Sequence, residues 1–205
     1  MKRGLMTYVL ILMSAVFLWG GERDSGQPRI SFGVEWAYDA TIFSAHHFNY
    51  FAPDGFRVDE HKAGFSYHTD GEVNLHVGYN FDKYWNLSCH VGYSGAGNYQ
   101  PVIPMSFRLT RFWGKTSMSD GWLSYVDLGT GMTLRDNPQA IATGKIGGGY
   151  RLSLSRLTKL DFIMAFKMIY TQPDVLYYGH QIASEHINTN DAYVGSLDLG
   201  IALTF

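Results

Sequence analysis

Hydrophobic and polar residues alternate with a period of two along most of this chain. The segment 193–205 shows the pattern most clearly, since apolar side chains occupy every second position up to the terminal Phe205. A period of two places successive side chains on opposite faces of a β-strand. Each such segment has about ten residues, the length at which a strand tilted by about 45° crosses a bilayer.

The alternation predicts eight strands and an all-β fold. The predicted strands are residues 29–38, 72–81, 85–93, 103–113, 122–134, 145–154, 160–170 and 193–205. The predicted connections are long at 39–71 and 171–192 and tight at 82–84 and 155–159. Membrane β-barrels have short periplasmic turns and longer extracellular loops. The chain is therefore predicted to be an eight-stranded antiparallel up-and-down transmembrane β-barrel.

The face opposite the apolar one is polar or small. Its charged and histidine side chains are predicted to form a polar network in the lumen: Glu35, Glu72, His76, His90, Arg108, Asp127, Lys145, Arg151, Asp161, Lys167 and Asp198. Side chains just fill the interior of an eight-stranded barrel, and buried charges need partners. We expect a closed polar core rather than an open pore. The alternative fold, a soluble lipocalin-type barrel, would place the apolar face inside and leaves the terminal Phe205 unexplained.

The beginning of the chain has the pattern of an export signal. Lys2 and Arg3 precede an uncharged run over residues 5–19, which is shorter than the ~20 residues of a membrane-spanning helix. We expect residues 1–21 to be a signal peptide and residues 22–205 to be a single outer-membrane barrel domain. An uncleaved N-terminal anchor is the alternative.

Composition excludes or disfavours some further classes of protein. A single cysteine, Cys89, excludes an internal disulfide. The chain has 16 basic and 18 acidic residues. Loss of Lys2 and Arg3 would leave a net charge of about −4, which gives no support to nucleic-acid binding. The mean hydropathy of −0.11 is expected where apolar and polar residues alternate.

The histidines are the main candidates for chemistry. Six of the eight lie in the two long connections: His46, His47, His61, His68, His180 and His186. Imidazole and carboxylate ligands suit zinc or copper. The spacing matches no established site, however, and histidines in loops are usually solvated. We therefore expect neither a metal nor a cofactor.

His76 and His90 are predicted on adjacent strands, with both side chains in the lumen. A carboxylate from Asp127 or Glu72 and a hydroxyl from Ser88 or Ser94 would complete an acyl-transfer arrangement. Membership of the hydrogen-bond network of the core is the favoured interpretation. No catalytic residue is assigned.

Aromatic residues are concentrated within residues 47–56. Either this loop folds over the barrel mouth and buries them, or it forms an adhesive surface for a partner. We favour the capping role, with Tyr177 and Tyr178 as packing partners.

The terminal strand with Phe205 and the alternation of long and short connections resemble the small eight-stranded bacterial outer-membrane barrels of the OmpX and OmpA-transmembrane type. The resemblance implies a non-enzymatic integral barrel with a structural or surface-interaction role through residues 39–71 and 171–192. It implies outer-membrane lipid and lipopolysaccharide as surroundings, an insertion machinery that recognises Phe205, and an extracellular partner at the long loops. A lipid A or phospholipid-modifying enzyme and a narrow channel are the alternative functions.

Overall fold

The computed structural model describes residues 28–95, 101–134 and 138–205, and the expected signal peptide with its cleavage site lies outside these residues. The described part contains ten strands and one short 3-10 turn, Ser184–His186. The strands are β1 (Ile30–Phe51), β2 (Arg57–Asn80), β3 (Trp85–Gly95), β4 (Pro101–Phe112), β5 (Gly121–Thr133), β6 (Ala140–Ser153), β7 (Lys159–Thr171), β8 (Leu176–Tyr177), β9 (His180–Gln181) and β10 (Ile187–Thr204).

Eight of these strands close into one barrel. Each long strand pairs antiparallel with its neighbours in the chain, and β1 also pairs with β10. The remaining two, β8 and β9, form a small separate ribbon. The predicted up-and-down barrel of eight strands is confirmed. No helix in the described ranges has both the length and the apolar character to cross a bilayer.

The barrel is apolar outside and charged inside. Leu75 on the outer face is 68% exposed, whereas Lys167 in the lumen is 2% exposed. A soluble barrel of the lipocalin type would show the reverse, so that alternative is wrong. A closed sheet satisfies every backbone hydrogen bond without water, as hydrocarbon surroundings require. The chain is a transmembrane β-barrel of the bacterial outer-membrane type.

Aromatic residues ring both ends of the barrel. At the end that carries the chain termini, the Phe205 ring stacks on Phe32 at 5.6 Å between centroids, and Trp113 and Trp122 are exposed. We call this end the terminus rim and the opposite end the hairpin rim. The strands β1, β2 and β10 extend far beyond the hairpin rim, and the long connection 172–186 lies there too, whereas the terminus rim carries only the connections 81–84, 113–120 and 154–158. Because membrane barrels extend on their extracellular side, the hairpin rim corresponds to that side and the terminus rim to the periplasmic side.

The prediction of a long loop at residues 39–71 is wrong, because most of these residues belong to strands. β1 has 22 residues and β2 has 24, and they pair as far as Phe51 and Arg57. The chain turns only at residues 52–56, where Gly55 has a φ of 86° and its N–H donates to the Ala52 carbonyl. β10 likewise begins at Ile187 rather than at residue 193 and pairs with β1 from there.

A three-stranded sheet therefore rises from the hairpin rim. We call it the stalk and define it as residues 44–51, 57–64 and 187–193. About eight residues at ~3.3 Å each give it a height of roughly 25 Å. A β-bulge between Thr41 and Phe43 marks its base. The bulge bends the strand and shifts the side-chain alternation by one residue.

The inner face of the stalk packs on the long connection between β7 and β10. Tyr50 and Ala52 form a buried apolar cluster with Val175 and Ile182, and Phe48 and Tyr177 pack against it. The expected burial of part of the aromatic cluster is therefore present, while capping of the barrel mouth stays a prediction. Backbone pairing on both sides of β1 joins this segment to its neighbours in one sheet.

Candidate functional site: the charged lumen and the stalk

The structure places all eleven predicted lumen residues inside the barrel, where each is buried. Two further charged residues, Asp39 and Lys159, are buried with them. Each lies just outside the end of a predicted strand, two residues from the nearest lumen-facing position within it. Extending the period of two from Glu35 through Asp39, and from Asp161 back to Lys159, would have identified them. Within the described ranges, the lumen therefore holds six carboxylates and five cations.

The layer nearest the hairpin rim is a chain of ion pairs. The Glu72 carboxylate accepts hydrogen bonds from Lys145 Nζ at 2.7 Å and Lys167 Nζ at 2.5 Å. Lys145 also donates to Asp198 at 2.8 Å, and Lys167 donates to Asp39 at 2.7 Å. The three carboxylates lie close enough together to hold a metal ion. The ammonium groups of Lys145 and Lys167 already supply the positive charge that a metal ion would bring to these carboxylates.

The middle layer is centred on Arg108. Its guanidinium donates to both oxygens of Glu35, at 2.5 and 3.0 Å, and to Asp127 at 2.9 Å. The same guanidinium lies 4.3 Å from the ring centroid of Tyr125. Bidentate pairing of this kind is the strongest form of charge-assisted hydrogen bond.

The layer nearest the terminus rim ties a turn into the barrel. Arg151 donates two hydrogen bonds of 2.6 Å to Asp161 and one of 2.6 Å to the Ser117 carbonyl. Ser117 belongs to the connection between β4 and β5, and its side chain is 1% exposed. This connection therefore folds inward at the terminus rim and narrows the lumen there.

An apolar cluster lies at the other end of the lumen. Val102, Ile141 and Ile169 are buried inside the hairpin rim and pack against Val194. A cavity of about 50 Å³ lies beside the histidines and reaches the terminus rim, since its lining includes Pro28, Leu157 and Phe205. That volume holds only a few water molecules.

The two lumen histidines lie side by side, with His76 directly opposite His90 in the register of β2 and β3. Their rings stack at 5.0 Å between centroids. Ser88 Oγ is 2.9 Å from His90 Nε2, and Glu35 is the nearby carboxylate, with an oxygen 4.0 Å from His90 Nδ1.

The sequence left two candidates each for the carboxylate and the hydroxyl of this cluster. Of the serines, Ser88 lies beside His90, whereas Ser94 lies near Glu72 and Lys167. Of the carboxylates, Asp127 bonds to Arg108 and Glu72 to the two lysines. A register of neighbouring strands does not reveal which side chains meet across the lumen, since that depends on the stagger of the whole barrel.

The serine, histidine and glutamate do not form a working triad. A separation of 4.0 Å is too long for the hydrogen bond that orients the imidazole in such sites. His90 Nδ1 is buried and has no hydrogen-bond partner in the part of the chain that the structure describes. The cluster also lies inside the barrel, away from the lipid. Its chemistry fits a polar core.

On the outer face of the stalk, His47 lies directly opposite His61, and their rings stack at 3.7 Å between centroids. Asp59 lies two residues before His61. One of its carboxylate oxygens is 3.1 Å from His47 Nε2 and 3.3 Å from His61 Nε2. His46 faces the other way and stacks on Phe48 at 4.6 Å. The histidines of the predicted loop are thus divided between two faces of one sheet.

The top of the stalk is fastened to the connection between β7 and β10. Tyr177 donates a hydrogen bond of 2.7 Å to Asp54 in the hairpin turn. Because the carboxylate favours the neutral phenol, this bond raises the pKa of Tyr177. Tyr177 also meets Phe56 edge to face at 6.3 Å between centroids. The predicted contact between the two long segments is therefore present.

No protein-family model and no curated protein matches the chain. Among solved structures it is similar to the N-terminal β-barrel domain of Pseudomonas aeruginosa OprF, with 12% identity, 82% of this chain and 97% of that chain covered and a TM-score of 0.44. It is also similar to Neisserial surface protein A (10% identity, 85% and 97% covered, TM-score 0.46) and to the outer membrane protein OprG from Pseudomonas aeruginosa (9% identity, 85% and 95% covered, TM-score 0.46). These likenesses concern the fold alone.

Proposed function

We propose that this chain is a closed, non-enzymatic outer-membrane barrel that carries a rigid stalk for surface interaction. The observation that carries the proposal is the stalk itself. A solvated loop would not need continuous backbone pairing from the hairpin rim to Tyr50 and Ile187. Binding residues held on a rigid scaffold lose little conformational entropy when a partner arrives.

Exposed aromatic residues make the stalk a suitable contact surface. Phe51, Phe56 and Tyr178 are exposed near its tip, and Tyr178 is 87% exposed. Aromatic side chains are enriched in the energetically dominant positions of protein interfaces. Among the described residues, the stalk part of β2 pairs with β1 only, so its other edge offers free backbone groups to an extended partner.

The charged lumen supports a structural rather than a transport role. Its carboxylates are paired with cations in three layers, a connection folds inward at the terminus rim, and an apolar cluster lies at the hairpin rim. A conducting path would have to break these layers. An enzyme would need a cluster at the rim within reach of lipid, whereas the serine, histidine and glutamate lie inside the barrel.

The remaining partners follow from the ends and the outer face of the barrel. The apolar belt would be surrounded by outer-membrane lipid and, in the outer leaflet, by lipopolysaccharide. Phe205 is hydrogen-bonded through its backbone to Phe32, at 3.1 and 2.8 Å. An insertion machinery that recognises Phe205 would therefore act before β1 and β10 close the barrel.

The test uses the full mature chain refolded into bilayers that contain lipopolysaccharide. We expect boiled and unboiled samples to differ in gel mobility, lipid A to keep its mass, and planar bilayers to show no conductance steps. Altered lipid A would instead identify an enzyme, and regular conductance steps would identify a channel.

A second measurement addresses the surface role in living cells. A photo-crosslinking amino acid is placed at Phe56 in the tip and, as a matched control, at Leu75 on the lipid-facing side of β2. Discrete protein or polysaccharide adducts at Phe56, with lipid adducts alone at Leu75, are expected. Absence of protein or polysaccharide adducts at Phe56 would contradict the surface role.

A further inference from the structure

The outer face of the stalk carries three side chains with metal-ligand chemistry. His47, Asp59 and His61 offer two imidazole nitrogens and one carboxylate oxygen, and these atoms all lie within 4.8 Å of one another. Neutral imidazole and carboxylate are ligands that zinc and other late first-row transition metals accept. A sequence pattern alone does not predict this grouping, since β-sheet pairing brings His47 opposite His61 across the turn.

Two of the three ligand-atom separations agree with a tetrahedral site. Ligand atoms 2.0–2.2 Å from a zinc ion lie roughly 3.3–3.5 Å apart at the corners of a tetrahedron. The Asp59 oxygen is 3.1 Å from His47 Nε2 and 3.3 Å from His61 Nε2. One oxygen therefore already lies at ligand spacing from both imidazoles. An ion would replace the two histidine–carboxylate hydrogen bonds with coordination bonds. The two rings, which stack at an angle of 20°, would rotate so that both Nε2 lone pairs point to the ion.

The site is held in place but remains accessible. All three residues belong to paired strands, so their backbones are fixed before an ion arrives. Side-chain exposures of 35% for His47, 52% for Asp59 and 66% for His61 leave an approach from solvent. Asp191 lies opposite His47 on β10, but its carboxylate already accepts a 2.5 Å hydrogen bond from Tyr170.

From this geometry we infer that the stalk binds one divalent transition-metal ion, of the zinc type, through His47, Asp59 and His61. The fourth coordination position is open to water, as in zinc sites that are not purely structural. The site links β1 to β2 on the extracellular side of the membrane. It is independent of the surface role proposed above, since metal binding to the stalk requires no partner.

The test measures binding of zinc ions alone to the tag-free mature protein in detergent after removal of metals with a chelator. We expect one zinc ion per chain. His61→Ala and Asp59→Asn should each weaken binding by at least about tenfold, because loss of a second-shell contact alone costs 10–100-fold. His46→Ala is the matched control, since His46 lies next to the site but on the opposite face, and it should leave the affinity unchanged.

Two further readouts keep the test decisive. Every variant is first checked for the difference in gel mobility between boiled and unboiled samples, which reports a folded barrel. X-ray absorption of the zinc-loaded wild-type protein should show two imidazoles at about 2.0 Å. Absence of stoichiometric zinc, equal weakening by His46→Ala, or a spectrum without imidazole scattering would overturn the inference.

Discussion

The lumen and the stalk use the same two strands, β1 and β2, but their charged residues have opposite surroundings. Glu72 is buried in the lumen between two lysines, with each contact 2.7 Å or shorter. Glu60, on the same strand in the stalk, pairs with one exposed lysine, Lys62. A buried ion pair that loses one partner is strongly destabilising, whereas an exposed pair contributes little. The comparison shows that position relative to the membrane, rather than residue type, decides what a charge does here.

Removal of Arg108 should have the largest effect, because it leaves Glu35 and Asp127 buried without their cation. We expect Arg108→Met to lower the free energy of unfolding in bilayers by about 3–5 kcal/mol. Urea titration followed by tryptophan fluorescence measures this. The triple variant Arg108→Met, Glu35→Gln, Asp127→Asn should recover much of the loss. A triple variant as unstable as the single one would contradict the pairing.

The same substitution in both regions sharpens the comparison. Glu72→Gln should cost about 3 kcal/mol, since two buried ammonium groups lose a shared carboxylate. Glu60→Gln should change the free energy of unfolding by less than ~0.5 kcal/mol. Both variants are measured in the same urea titration. Similar losses at the two positions would show that burial does not separate the two regions.

The contribution of the exposed pair Glu60 and Lys62 to the free energy of unfolding should depend on pH. The Lys62 ammonium lowers the pKa of Glu60. A lowered pKa stabilises the folded state above the ordinary pKa of glutamate, and this contribution is lost as the pH falls through the folded-state pKa. The small difference between wild type and Glu60→Gln should therefore vanish in acid.

Removal of the stalk should leave the barrel folded. Residues 45–63 are replaced by Asn-Gly, which forms a tight hairpin turn between the paired residues Ser44 and Gly64. The gel-mobility difference should persist and the free energy of unfolding should change by less than ~1 kcal/mol. Loss of the mobility difference would show that the barrel depends on its stalk.

The contact between the hairpin turn and the connection preceding β10 should have only a local effect. Tyr177→Phe removes the hydrogen bond to Asp54 and should speed proteolysis within residues 172–186, with barrel stability unchanged. Because the pKa of Tyr177 is raised, the wild-type contact should persist at neutral pH and be lost only in strongly alkaline solution. Equal proteolysis rates would contradict this contact.

The barrel could be predicted from the sequence because lipid and lumen impose opposite polarity on alternate side chains. That pattern located every transmembrane strand and eleven of the buried polar residues. It ended at Tyr38 because the small Ala40 weakens the pattern, and the β-bulge between Thr41 and Phe43 then interrupts the alternation. Asp39 was consequently assigned to a loop. The two parts of β1 differ in surroundings but not in backbone structure.

Contacts across the lumen could not be predicted from the sequence for a different reason. Neighbouring strands fix pairs such as His76 and His90, but Glu35 meets Arg108 across several strands. Which residues meet depends on strand tilt and stagger, which no local pattern records. No sequence pattern predicted that the connection carrying Ser117 folds into the barrel, because this connection contains ordinary turn residues.

The most direct test of the difference between loop and stalk is residue-resolved amide hydrogen exchange of the full mature chain in bilayers. Exchange protection reports local opening of hydrogen-bonded structure. Amides of residues 45–50 on β1, paired on both sides, should be protected nearly as strongly as those of the barrel, whereas the turn at 52–56 should exchange quickly. Rapid exchange throughout residues 45–50 would show a flexible loop and contradict the rigid stalk.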